Sequence, residues 1–290
     1  MSVTVNFFVM QITLIAVVLV LHTYIGLHII RRGIIFSDLV LDQLAAFGVM
    51  VGIGWGIRYG TPLSYALALG ATLIGCALLA VLRPRNRLIP QEAVIGILYG
   101  MAMVVSLLLA DKMREGGASL SATLVGSMLW VSWPLVWVTI GIYAALGLLH
   151  IVCRRPILRL TENPSAWPRR AAWDFLFFVT QGIITILIVP VAGVLLAYGF
   201  LMIPAAIGTM FSRRWVSALL IGWGTGFAAC VLGVMGSYRM DSPYGPTLML
   251  AMGAAFVLAL AASTLLACRK APAPAVLAGG SGQAERGGVR

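Results

Sequence analysis

Of the 290 residues, 61% are hydrophobic and only 10% are charged, and the mean hydropathy is +1.00. Soluble domains carry roughly a quarter charged residues, so this composition excludes a soluble enzyme and leaves no room for a soluble domain. The formal net charge of +11 sits in short breaks between apolar runs, which points to membrane topology rather than to nucleic acid. The chain reads as an all-α, polytopic transmembrane helix bundle lying in a lipid bilayer.

In chain order, apolar runs cover about residues 6–30, 34–57, 62–82, 91–110, 123–152, 173–190, 191–211, 215–236 and 246–267, giving eight or nine spans of a length that crosses a ~30 Å hydrocarbon core. The first run follows MSVTVNFFVM, without the basic stretch and small-residue cleavage site of a secretory signal, so it is expected to remain as a span. The fifth run is long, and Pro134 is expected to break it. Assigning the breaks alternately to two sides puts sixteen Lys and Arg on one side and four on the other. The first side is then cytoplasmic, with the N-terminus outside and the C-terminus inside. The same bias splits residues 173–211 into two spans, because only a tight external turn near Pro190–Gly193 keeps both Arg169–Arg170 and Arg213–Arg214 inside. The loop CRRPILRLTENPSAWPRR, residues 153–170, is expected to hold at most short ordered pieces. Residues 1–270 are expected to form the transmembrane domain, and the Ala/Pro/Gly-rich residues 271–290 read as a disordered cytoplasmic tail. Cys76, Cys153, Cys230 and Cys268 are scattered without metal-site or disulfide spacing and read as small apolar residues.

Two carboxylates, Asp38 and Asp42, lie inside the second apolar run of a chain with only nine Asp and Glu. A charge at the bilayer centre costs about 2.5–3.5 kcal/mol on insertion scales, so such residues face a cavity, a partner or a transported ion. Counting from Arg32 at ~1.5 Å per residue, Asp38 lies roughly 9 Å deep and Asp42 roughly 15 Å deep, on one helix face. Gln43 offers an amide beside them. Two carboxylates and an amide suit a hard or borderline divalent cation; a proton relay and a pure packing role are the alternatives. His22, His28 and His150 read as interhelical or interfacial residues rather than metal ligands. Neither an HExxH motif nor a P-loop occurs, so any ATP-powered transport takes its nucleotide site from another chain. The stretch GVLLAYGFLMIPAAIGTMFSRR, residues 193–214, runs through Pro204 into small residues and a basic pair, a pattern that lets the chain turn along the membrane surface and meet a cytoplasmic partner.

That stretch resembles the zinc/manganese/iron class of ATP-binding-cassette importer permeases, whose G-x-L-L … L-x-x-P-A-A-x-A and basic cluster are similar to Gly193, Leu195, Leu196, Met202, Pro204, Ala205, Ala206, Gly208, Arg213 and Arg214. SYRMDSPYGP resembles the class's S-x-x-x-D-x-P-x-G-P through Asp241, Pro243, Gly245 and Pro246. QEAVIGILY resembles E-x-x-I-G-I-x-Y through Glu92, Ile95, Gly96, Ile97 and Tyr99, and Leu124–Ser132 resembles L-F-G-x-x-L-x-V-S through Gly126, Leu129, Val131 and Ser132. The second span departs from the class: many members carry D-x-x-x-H there, whereas here Asp42 or Gln43 stands where the imidazole would be. FSDLVLDQLAAFG is closer to a divergent branch with F-x-D-L-x-L-x-Q-x-A-A-x-G. Before the sixth span, Trp173, Asp174 and Phe175 replace F-D-x-x-x-A, and Asp174 is expected to pair with Arg169 or Arg170.

The resemblance implies a non-enzymatic permease subunit in a bacterial inner membrane, importing divalent metal ions (zinc, manganese or iron) by alternating access. It implies a homodimer of permeases, a cytoplasmic ATPase that uses ATP and docks on a coupling helix from Pro204 to Arg214, and an extracytoplasmic metal-binding protein. No permanently bound cofactor is expected; Asp38, Asp42 and Gln43 are the expected metal-contacting residues. Alternatives are import of a metal chelate or other small solute by the same machine, or proton-coupled secondary transport.

Overall fold

The structure, a computed structural model, describes residues 3–58, 61–82, 88–113, 116–126, 131–162 and 170–270. Among these residues there are ten helices and no strand: α1 (Val3–Arg32), α2 (Ser37–Gly54), α3 (Pro62–Val81), α4 (Gln91–Asp111), α5 (Gly116–Val125), α6 (Trp133–Val152), α7 (Arg154–Glu162), α8 (Arg170–Phe211), α9 (Trp215–Met240) and α10 (Tyr244–Lys270). All but α5 and α7 are long and apolar enough to cross a membrane. Many large apolar side chains point outward, among them Leu108, Ile151, Leu250 and Leu258. Such a surface is stable only against hydrocarbon.

Local signals fix the helix starts. Thr61 caps α3 by accepting from Ser64 N–H, with Pro62 in the first turn, where its missing N–H costs nothing. The start of α2 has no side-chain cap of its own; instead the Glu92 carboxylate, on the first turn of α4, accepts the Phe36 N–H at 2.9 Å. Pro134 opens α6 rather than interrupting a longer helix. The expected fifth span is therefore shorter than its apolar run, and residues 116–125 form a separate helix that packs against α4 and α8. The α9–α10 turn places Asp241 in the left-handed region at φ 49°, and Ser237 Oγ donates to Ser242 O at 2.7 Å.

The centre of the bundle is α8, which packs on α1, α2, α3, α5, α9 and α10. At ~1.5 Å per residue a straight helix of this length would be about 60 Å long, twice a membrane core. Gly193, at φ 77° and ψ 163°, is not helical and divides α8 into two arms. Both arms return to one end of the bundle. Arg32 pairs with Asp174 at the start of the first arm, while Arg31 Nη2 donates to Arg213 O, just past the second, at 2.9 Å. The expected tight turn near Pro190–Gly193 is thus present. Opposite it stands Gly126, also at positive φ, and a Cβ on Gly193 would lie 2.5 Å from the backbone of Leu124, Val125 and Gly126. Within the loop 153–170, residues 154–162 are helical, with Ile157, Leu160 and Thr161 buried. Arg169 and the tail 271–290 lie outside the described residues.

Candidate functional site

Asp38 and Asp42 occupy successive turns of one face of α2 and are 2% and 0% exposed. They face the first arm of α8. Gln181 Nε2 donates to Asp38 Oδ1 at 2.9 Å, and Thr185 stands beside Asp42 one turn on. Because α2 and this arm both start at the Arg31–Arg32 end, they run in the same direction. The two i, i+4 pairs therefore meet as two rungs of a ladder, Asp38 with Gln181 and Asp42 with Thr185. Next to them, Tyr143 of α6 stacks on His22 of α1 with ring centroids 5.8 Å apart, and its hydroxyl lies 3.5 Å from Ile184 O. His22 Nδ1 lies 3.1 Å from Val18 O.

The polar atoms left over are acceptors. The Thr185 hydroxyl approaches the Asp42 carboxylate, yet among the described residues neither Asp42 oxygen has a donor within full hydrogen-bond geometry, and Gln43 Oε1 and Gln181 Oε1 are likewise buried without one. A buried carboxylate left unpaired costs several kcal/mol, and only a cation or a proton can supply what the protein withholds. Among the described residues no three His, Cys, Asp or Glu side chains come together. A cation held here would have two carboxylates, hydroxyl or amide oxygens, and water. That is an oxygen shell of the kind hard divalent ions accept, loose enough for release.

Gln43 does not join the pair. Its Nε2 donates to Ser106 Oγ of α4 at 2.9 Å, and the Ser106 hydroxyl goes to Ala102 O. Adjacent residues on a helix point about 100° apart, so Gln43 looks towards α4 while Asp42 looks towards α8. Gln181, Thr185, Tyr143 and His22 were not singled out from the sequence as neighbours of the carboxylates. The available signal was Gln181 and Thr185 at the same four-residue spacing as Asp38 and Asp42, in an otherwise apolar run.

Towards the Arg31–Arg32 end the site is closed by a buried ion pair. Arg32 and Asp174 side chains are 4% and 0% exposed, the guanidinium carbon sits 4.9 Å from the Phe177 ring centroid, and Arg170 approaches the other Asp174 oxygen at 3.6 Å. The expected surface partner Arg170 is thus a secondary one; Arg32 is the main one.

The segment expected to dock an ATPase is only partly at the surface. Helix α8 does not turn at Pro204 but continues to Phe211. Pro204, Ala205 and Gly208 are buried and Ala206 is half-buried. Small residues on α9 receive this stretch: Cβ atoms on Gly222 and Gly226 would lie 2.6 Å from Pro204 O and 2.8 Å from Pro204 Cγ. Such small-residue contacts let transmembrane helices approach closely. Only Arg213 and Arg214, with Phe211, are exposed.

The fold and this site define an α-helical membrane protein with a buried acidic pair between two spans. The chain belongs to the ABC 3 transport family, which it matches over residues 4–263. It is 27% identical over 250 residues to a "Probable metal transport system membrane protein" of Chlamydia muridarum, covering 80% of this chain and 84% of that one. It is 25% identical over 242 residues to the manganese transport system membrane protein MntC of Halalkalibacterium halodurans, covering 81% and 80%. Among solved structures, a chain of PsaBC from Streptococcus pneumoniae in complex with Fab is similar in fold, with a TM-score of 0.69 at 21% identity over 87% of this chain and 89% of that one.

Proposed function

We propose that the chain is the permease subunit of an ATP-binding-cassette importer for divalent metal ions, working by alternating access while a separate ATPase chain hydrolyses ATP. The observation that carries this reading is the buried, under-paired Asp42 carboxylate, approached only by the Thr185 hydroxyl among the contacts described, with Asp38 and Gln181 on the next rung. Family membership and the names of the manganese and metal transport relatives agree with it. In this reading Asp38 and Asp42 bind the ion, and Thr185 and Gln181 lend oxygens. Gln43 braces α2 against α4 instead of ligating. Oxygen donors favour manganese over softer ions.

The ATPase docks at the Arg31–Arg32 end, which is cytoplasmic, on the exposed Phe211–Arg214 turn; Pro204, Ala205, Ala206 and Gly208 carry its movement into the bundle through their packing on α9. An extracytoplasmic metal-binding protein delivers the ion, and two copies pair in a bacterial inner membrane, with the N-terminus outside and the C-terminus inside. The decisive experiment is metal uptake by vesicles holding the permease with its ATPase. Asp42→Asn, which keeps the shape and removes the charge, is expected to lower manganese uptake by about tenfold or more, since charged ligands set divalent affinity. Unimpaired uptake would return Asp42 to a packing role, and uptake driven by a proton gradient without the ATPase would replace the importer by a secondary transporter.

A further inference from the structure

Two histidines outside the carboxylate site share a set of neighbours. His28 on α1 and His150 on α6 are 0% and 3% exposed. Tyr24 lies edge-on to both, with centroids 4.7 and 5.4 Å away, and Phe177 lies 6.0 and 6.4 Å from them. Trp215 covers another side of His28 at 4.6 Å.

The threonine hydroxyls bear on both tautomers. His28 Nδ1 lies 2.6 Å from Thr161 Oγ1 and His150 Nε2 lies 2.9 Å from Thr180 Oγ1. A threonine hydroxyl has one proton to give. Thr161 gives its proton to Ile157 O at 3.0 Å, and Thr180 gives its own to Phe177 O at 2.8 Å. With each hydroxyl proton on its own helix carbonyl, the threonine oxygen accepts from the ring, an arrangement that puts the imidazole protons on His28 Nδ1 and His150 Nε2. The opposite nitrogens, His28 Nε2 and His150 Nδ1, are bare lone pairs, buried and without a partner. Metal-ligating histidines show this division: one N–H held by an oxygen, the other nitrogen free for the ion.

Position gives the pair a task. Thr180 immediately precedes Gln181, and Phe177 touches the guanidinium of Arg32, whose charge Asp174 balances. Along the axis of α8 the histidines thus lie at a depth between the carboxylate ladder and the Arg32–Asp174 closure. We propose that His28 and His150 form a second, nitrogen-donor station that receives a first-row transition-metal ion as it leaves Asp38 and Asp42; this rests on the metal-importer reading. An all-oxygen site cannot by itself reject magnesium or calcium, whereas imidazole favours transition metals over both. The station therefore supplies the discrimination that the carboxylate ladder, lacking an imidazole ligand, does not.

The test uses the permease with its ATPase in lipid nanodiscs, loaded with Mn2+ and read by pulsed electron paramagnetic resonance. The wild-type protein is expected to show 14N coupling from imidazole to bound Mn2+, replaced by 15N coupling when histidine is isotopically labelled; this needs no variant. The coupling should vanish in the double variant His28→Gln, His150→Gln. In uptake, the magnesium concentration that halves Mn2+ transport should fall by about tenfold or more in that variant, following the oxygen preference of magnesium. Absence of nitrogen coupling in the wild type, its survival in the double variant, or unchanged magnesium inhibition with uptake intact would overturn the station. Failure of the importer reading would show separately, as no metal uptake by the wild type.

Discussion

Replacing Gly193 by alanine tests whether one residue folds α8 back on itself. Its φ of 77° and ψ of 163° fall in a region essentially reserved for glycine, where a side chain costs about 1–3 kcal/mol. The added Cβ would also meet three backbone atoms, Gly126 N, Leu124 O and Val125 C, each at 2.5 Å, and backbone yields less readily than a side-chain tip. Overpacking of this kind adds about 1–3 kcal/mol. The sum centres near 4 kcal/mol, and at roughly 2–4 °C per kcal/mol for a chain of this size the melting temperature should fall by about 8–16 °C. Gly224→Ala is the control, because α9 leaves open space at that Cβ and alanine gains about 0.5–1 kcal/mol in a helix interior. Thermal unfolding of the two purified variants in detergent gives the comparison. Equal melting temperatures would refute the assignment of the turn to Gly193.

Asp174→Asn strands the buried Arg32 charge and should cost about 3–5 kcal/mol in the same assay, with Arg32→Met on that background restoring most of it. Gln43→Leu removes one hydrogen bond to Ser106, about 1 kcal/mol of stability, and should leave the half-saturating manganese concentration for uptake unchanged. Thr185→Val, by contrast, takes an oxygen from the ladder and should raise that concentration several-fold. Reversing the exposed pair with Arg213→Glu and Arg214→Glu should weaken co-purification of the ATPase by about tenfold or more while the permease melts normally, as surface substitutions cost little stability; full-strength co-purification would remove this turn from the docking surface.

Hydropathy located the spans because lipid leaves only helices as an option, and the two arms of α8 were legible from arginine placement alone. The start of α6 was not legible, since the run through residues 123–152 is apolar whether or not it is helical throughout, and Pro134 reads equally as a break or a first turn. Within the site, Asp38 and Asp42 stood out because charge in an apolar run is expensive. Gln181 and Thr185 did not, because neutral polar residues occur in many spans without special cause. Gln43 turns its amide nitrogen to Ser106 rather than to the carboxylates, because adjacency in sequence is not adjacency around a helix. Pro204 to Gly208 were expected at the surface from the helix-breaking reputation of proline, but the glycines of α9 that accommodate it lie eighteen to twenty-two residues away in the chain, beyond any local pattern.

The two feet of the α8 hairpin are tied to neighbouring residues of a single helix end, Arg32 to the first and Arg31 to the second. The guanidinium carbon of Arg31 also sits over the ring of Trp215, the first residue of α9, 3.7 Å from its centroid. Mechanically this is a yoke. A pull on the Phe211–Arg214 turn loads α1 through Arg31, and one residue later the same load reaches the arm that bears Gln181 and Thr185. A displacement of the turn would either carry the Gln181–Thr185 rungs with it or first part the Arg31 contact, since a buried ion pair such as Arg32–Asp174 costs more to break than an exposed hydrogen bond.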